Sequence, residues 1–140
     1  MFLNNNMGKT MDLLQRSMDA SILRHEVLAN NMANVNTDHF KRSDIAFESA
    51  LKAALDSEKP RPFPTHRPDS DKPEWAQQRI DYRRVNPKKV LDFESISKSN
   101  GNNVDPDVEA SKILHNILAY QLMTQAVSSH FNQINLVLRG

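Results

Sequence analysis

From Asp107 to Arg139 the chain contains neither Gly nor Pro, and apolar residues recur along it at alternating spacings of three and four. The repeat runs through Ala110, Ile113, Ile117, Tyr120, Val127, Phe131, Ile134 and Leu138, broken only at Thr124. That period belongs to a helix with one packed seam, not to a strand. The start is also marked: Asp105 is a favourable N-cap, Pro106 suits the first helical position, and Asp107 and Glu109 place negative charge at the positive end of the helix dipole. A helix from Asp105 to Leu138 would extend about 50 Å, beyond what a compact domain of 140 residues ordinarily spans. The expectation is therefore a mainly α, elongated, coiled-coil-like pair of long helices.

The same helix carries a second constraint. Between Ile113 and Leu138 there is no Asp, Glu, Lys or Arg, whereas a solvated helix face is usually charged. Outside the seam lie Leu114, Leu118, Leu122 and Met123, among amides and hydroxyls such as Asn116, Gln121, Gln125 and Ser128. Such a surface suits contact with protein on several sides. A membrane span is the alternative, but six amides and two His residues within this stretch would be costly in hydrocarbon, so no direct span is expected.

A partner helix is expected from about Lys9 to Asn34, with Thr10 as a possible cap and residues 1–8 as a flexible lead-in. One apolar stripe comprises Met11, Leu14, Met18, Leu28, Met32 and Val35, with Ser21 and His25 in its middle; a second comprises Leu13, Ala20, Leu23 and Val27. Two apolar faces require two sets of neighbours. The C-terminal helix supplies one, leaving the other for a different chain. After Ala29 four Asn residues in a short span favour side-chain bonds to the backbone, and the chain is expected to turn.

Those residues carry a resemblance. Asn30, Asn31, Met32, Ala33, Asn34, Val35, Asn36 and Thr37, followed by Phe40 and Lys41, are similar to the N-terminal signature of the bacterial flagellar rod, hook and related axial proteins. Asp38-His39 stands where many members have a Gly-containing turn. The stretch Asp44–Leu55 resembles the segment that follows the signature in proximal-rod members. Near the other end, Asn100-Gly101-Asn102-Asn103-Val104-Asp105 resembles the segment preceding their C-terminal helix, and Asn116, Tyr120 and Gln121 fit its Asn-x-x-x-Tyr-Gln pattern. The resemblance covers about residues 10–56 and 99–138.

The middle is less regular. Asp44–Leu55 reads as a short amphipathic helix; Glu58–Glu74 carries five Pro and reads as an extended surface loop, or as a proline-rich ligand. Trp75 and Tyr82 alternate with Arg79, Arg83, Arg84, Lys88 and Lys89, a pattern that can bind single-stranded nucleic acid but also describes a solvated basic loop. Val90–Ile96 is expected to be extended. The charge is uneven, with 9 basic and 5 acidic residues in 57–90, yet over the whole chain 18 basic and 17 acidic residues nearly cancel, which argues against nucleic acid as partner. The organisation expected is an N-terminal arm (1–43), a middle segment (44–104) and the C-terminal helix (105–140), together one domain.

No chemistry-bearing constellation emerges. His25-Glu26 begins like a zinc-protease helix, but Ala29 occupies the place of the second ligand. His115 and His130 have no carboxylate within a turn, there is no Cys, and neither a phosphate-binding Gly loop nor a nucleophile elbow is present. An enzyme, a metal site and a cofactor are not expected. The resemblance implies a structural rod subunit whose assembly interface comprises Met11, Leu14, Met18, Leu28, Met32, Ile113, Ile117, Tyr120, Val127, Phe131 and Ile134. It further implies that Asn30, Asn34, Thr37, Phe40 and Lys41 set the signature turn. Its implied partners are copies of itself, sister rod proteins and the export-gate or base proteins of the basal body, reached by type III export with no cleaved leader. From the residues alone, a cytoplasmic adaptor or chaperone that holds a partner's amphipathic helix remains an alternative.

Overall fold

A computed structural model describes residues 6–58, 79–93 and 101–139. Three α-helices dominate: α1 (Asn6–Ala33), α2 (Glu48–Glu58) and α3 (Pro106–Arg139). Two four-residue strands, β1 (Ser43–Ala46) and β2 (Lys88–Leu91), form a two-stranded sheet, and a 3-10 turn occupies Tyr82–Arg84. The chain divides into two compact units, Met1–Ile45 with Lys89–Gly140, and Ala46–Lys88.

The expected helix pair is present in the first unit, where α1 and α3 pack together. The cap of α3 is as anticipated: the Asp105 carboxylate accepts from Asp107 N–H at 3.0 Å, and the Asp105 carbonyl accepts from Glu109 N–H at 2.9 Å. α1 begins earlier than expected, at Asn6, so Thr10 lies inside the helix and does not cap it. Once nucleated, a helix propagates through residues that do not forbid it, and nothing between Asn6 and Thr10 does.

Burial along the pair is lopsided. Ala20, Ser21, Val27, Leu28 and Asn31 are buried on α1, and Glu109 and Asn116 on α3. All lie toward the C-terminal end of α1 and the N-terminal end of α3. Among the described residues no α1 side chain before Ala20 and no α3 side chain after Asn116 is buried. At about 100° per residue the buried side chains of α1 fall within an arc of roughly 120° lying between the two expected stripes. The second stripe is thus partly covered by this chain itself: Ala20 and Val27 are buried, while Leu23 is 41% exposed. β1 contributes here, since the Arg24 guanidinium donates to the Ile45 carbonyl at 3.0 Å.

The strand over 43–46 was hidden within a segment that reads as amphipathic helix. Ser43 and Ile45 are buried while Ala46 is exposed, the alternation of a half-buried strand, and the helix starts only at Glu48. In the second unit, α2 contacts the 3-10 turn, and Phe47, Ala54 and Tyr82 form its buried residues. The Ser57 hydroxyl accepts from Ile80 N–H at 3.0 Å and donates to the Ala54 carbonyl at 2.6 Å. Of the extended stretch expected at Val90–Ile96, β2 covers Val90 and Leu91; residues 94–96, like the Pro-rich segment from Lys59 to Glu74, lie outside the described residues.

Leu28 is wholly buried and Leu122 is 67% exposed. Replacing Leu28 with Ala should lower stability by about 2–5 kcal/mol, the range for a core leucine, whereas Leu122→Ala should stay within about 0.5 kcal/mol. Chemical denaturation of the two variants checks the contrast.

Candidate assembly site: the signature turn and the helix pair

α1 ends in a turn whose carbonyls need partners. Within the turn, Asn34 N–H is shared between the carbonyls of Asn30 and Asn31 at 3.2 Å each, and the Asn34 side-chain amide donates to the Asn30 carbonyl at 2.8 Å. Thr37 returns to Asn34 twice, its N–H to the carbonyl at 3.0 Å and its hydroxyl to the side-chain oxygen at 3.2 Å. The remaining acceptors are met from far along the chain. The fully buried Asn102 amide donates to the carbonyls of Asn34, Val35 and Thr37 at 3.0, 3.1 and 2.8 Å. Its own oxygen accepts from Val104 N–H at 2.6 Å. Two amide hydrogens serve three acceptors, so one of them is shared.

Asn103 binds the next stretch, accepting from Arg42 N–H at 2.7 Å and donating to the Asp92 carbonyl at 2.8 Å, while Asp92 N–H donates to the Arg42 carbonyl at 3.0 Å. Lys41 donates to the Gly101 carbonyl at 3.0 Å. The N-terminal signature and the Asn-Asn-Val-Asp segment before α3 therefore form a single hydrogen-bonded structure, which explains why both are built of amides.

The departure at Asp38-His39 is also resolved. His39 adopts φ 59°, the left-handed conformation for which Gly is the usual residue. Gly101 faces it at φ 77°, and a Cβ there would stand 2.7 Å from His39 Nδ1. The glycine requirement sits on the opposing loop.

Between this turn and α3 lies a partly exposed ionic cluster with one buried member, Glu109. Glu109, 0% exposed, accepts from the Asn31 amide at 2.9 Å and faces Arg42 Nη1 at 3.4 Å and Lys112 Nζ at 3.5 Å. Arg42 Nε also binds Asp92 at 2.6 Å, Lys112 reaches Asp44 at 3.7 Å, and Arg24 reaches Asp44 at 3.8 Å. Signs alternate along Arg24, Asp44, Lys112, Glu109, Arg42 and Asp92, so the cluster is neutral. Burial works against the Arg42 charge, but the bond to Asp92 and the attraction of Asp92, Glu109 and Asp44 outweigh it and raise its pKa. A raised pKa on a base stabilises the fold below its unfolded-state value and is lost only in strong alkali, so this contribution does not vary at working pH.

Asn31 completes the cluster. Besides Glu109 it donates to the Ser43 carbonyl at 2.8 Å and accepts from Ser43 N–H at 3.0 Å, tying α1 to both β1 and α3. One more amide crosses the pair: Asn116 donates to the Ser21 carbonyl at 2.9 Å. No buried side-chain polar atom among the described residues lacks a partner.

The expected site residues fall into distinct places. Leu28 is fully buried; Met11, Leu14, Met18, Met32, Ile113, Tyr120 and Val127 are half-buried; Ile117, Phe131 and Ile134 are exposed. In the turn, Asn34, Phe40 and Lys41 are half-buried, and Asn30 and Thr37 exposed. The residues not anticipated as interior are polar: Asn31, Ser43, Asn102, Asn103, Glu109 and Asn116. Glu109 lies in the first turn of α3, as expected, and is also the centre of the cluster.

Beyond the buried end the helices line an open groove of about 470 Å³ between Met11, Met18 and Ile22 on one side and Tyr120, Val127 and Phe131 on the other. A second hollow of about 320 Å³ lies between Ser21, His25, Asn116 and Tyr120; His25 is exposed at its rim. Roughly half a turn round α3 from its packed face, Leu114, Leu118 and Leu122 are 51–67% exposed. In the other unit Tyr82 is buried, with the Arg83 guanidinium 5.6 Å from its ring centre, so this aromatic offers no open face for base stacking. No described helix is long and apolar enough to cross a membrane.

No family model matches the chain. It is similar to the flagellar basal body rod protein FlgB of Borrelia hermsii, 37% identical over 130 residues that span 93% of this chain and 96% of the relative. Its similarity to FlgB of Borreliella burgdorferi is also 37%, over 96% of this chain and 99% of the relative. FlgB of Bacillus subtilis is 25% identical over 94% of each.

Two substitutions test the geometry. Asn31→Ala leaves Glu109 and the Ser43 backbone short of buried partners and should cost about 2–4 kcal/mol in denaturant unfolding. Gly101→Ala meets both an unfavourable φ and the His39 ring, and should cost about 1–3 kcal/mol. In a His39→Gly background the ring contact is gone and only the backbone cost should remain, so a double-mutant cycle should show coupling.

Proposed function

The chain belongs to the flagellar basal body rod protein FlgB family, and from that premise we propose how its terminal helices make it a structural subunit of the rod. The observation that carries this reading is the uncharged, exposed apolar stripe on α3, opposite the face that packs on α1. Each subunit folds its own helix pair at the clustered end and presents the remaining helix surface to neighbours. The partners are copies of itself, sister rod proteins and the basal-body components on which the rod is founded, and its place is the periplasmic part of the basal body.

Amide and aliphatic surfaces without charge allow close, dry contact, and long helices packed side by side resist twisting. In this reading the rod passes motor torque outward through those contacts, and motility depends on them. The residues that carry the seam are Met11, Leu14, Met18, Leu28 and Met32 with Ile113, Ile117, Tyr120, Val127, Phe131 and Ile134, while Asn30, Asn34 and Thr37 orient the arm that follows α1. The adaptor alternative is not favoured, because relatives matching the chain over nearly its whole length are named as rod proteins.

The test separates folding from assembly. Leu118→Asp with Leu122→Asp places charge only on exposed positions and should shift the thermal midpoint of the isolated protein by no more than a few degrees. The same pair should abolish swimming and remove the subunit from purified basal bodies. Normal swimming in that double variant would rule out the outer stripe as an assembly surface.

A further inference from the structure

The open groove has features that point to a particular occupant. Its apolar walls come from Met11, Met18, Val127 and Phe131, and Asp12 and Asp19 also line it. Asp12 is engaged by Arg16 at 3.2 Å, whereas Asp19 is exposed and makes no ion pair among the described residues. The groove therefore suits a short apolar segment that ends in a cation.

The end of α3 has that composition. Leu136, Val137 and Leu138 are 76–80% exposed, the highest values among the described large apolar residues, and Arg139 follows them. Arg139 is the only Lys or Arg in α3 after Lys112, and it is exposed and without an ion pair among the described residues. The segment cannot fill the groove of its own molecule. α3 is continuous from Phe131, a groove residue, to Arg139, which carries the tail about 12 Å farther along the axis.

We propose that the C-terminal end of α3 docks into the α1–α3 groove of a second copy of this chain, with Leu136 and Leu138 against Met18 and Phe131 and with Arg139 beside Asp19. Tail and groove are different surfaces, so the contact is heterologous: the copy that gives its tail keeps a free groove, the copy that gives its groove keeps a free tail, and the contact builds a chain of subunits instead of closing a dimer. This deepens the rod-subunit reading and rests on it for the biological setting.

The natural sequence has no Cys, so introduced thiols report unambiguously. Full-length Met18→Cys and Leu138→Cys proteins are mixed and oxidised under mild conditions, beside a control mixture of Lys52→Cys, at an exposed position of α2, and Leu138→Cys, after circular dichroism has shown all three to be folded alike. Docking raises the local thiol concentration, so the groove mixture should form its disulfide-linked heterodimer about tenfold faster or more. Adding Asp19→Lys to the groove partner should slow the reaction, and Arg139→Glu in the tail partner should restore it. Equal rates in the two mixtures, or no response to the charge reversal, overturn the proposal. So does crosslinking of Met18→Cys in cells to a different basal-body protein with no adduct to this chain. Fractionation of purified basal bodies separates the two claims: the subunit present there without the groove crosslink leaves the rod reading standing and removes this one, while its absence removes the rod reading whatever the crosslinking shows.

Discussion

A carboxylate without access to water is costly unless it is paired and hydrogen-bonded, and the first unit is arranged around meeting that condition at Glu109. Asn31 reaches it from α1, Arg42 from the strand entry and Lys112 from the next turn of α3. Each helper is held by something else: Asn31 by the Ser43 backbone, Arg42 by Asp92, Lys112 by Asp44. Geometry at one residue is thus fixed by elements that come from both ends of the sequence. Apolar side chains alone would let two smooth helices slide past each other in steps of a turn. An ionic and amide set tolerates one register only, a role for which polar residues at helix seams are well suited.

The amide-rich turn extends the same logic. A helix end leaves carbonyls unpaired, and here a residue from a distant loop, Asn102, meets three carbonyls of the turn that follows α1. The Gly101–His39 contact then allows the two loops to approach closely enough for this to happen. The loop supplies donors to the turn through Asn102, and the turn segment supplies one to the loop through Lys41.

Much of this was legible in the sequence and part was not. The lengths of α1 and α3, the cap at Asp105 and the turn after Ala29 follow from local rules, because capping, periodicity and asparagine chemistry act over a few residues. β1 was missed because Asp44-Ile45-Ala46-Phe47 is too short for its two-residue period to stand out from a helical one. The polar interior was missed for another reason: Glu109 and Asn116 have the same local appearance as any helix-surface residue, and only the partner segment reveals that they face inward. A signal existed, since Asn116 falls on the packed face between Ile113 and Tyr120, and Asn31 lies one turn on from the buried Val27 and Leu28. Polar residues in seam register mark places where a helix pair is pinned. The seam residues that proved most exposed, Leu138 and Phe131, lie far from those pins, although Ile117, beside Asn116, is exposed as well.

The concentration of buried residues at one end of α1 and α3 has a mechanical meaning. A pair clamped at one end and lightly held at the other behaves as a pair of tongs whose jaws respond to small loads. In the proposed rod, a neighbour that engaged the jaws would have no ion pair of the cluster to break. In the proposed rod, rigidity would then come from the neighbours that engage the jaws and not from the isolated subunit.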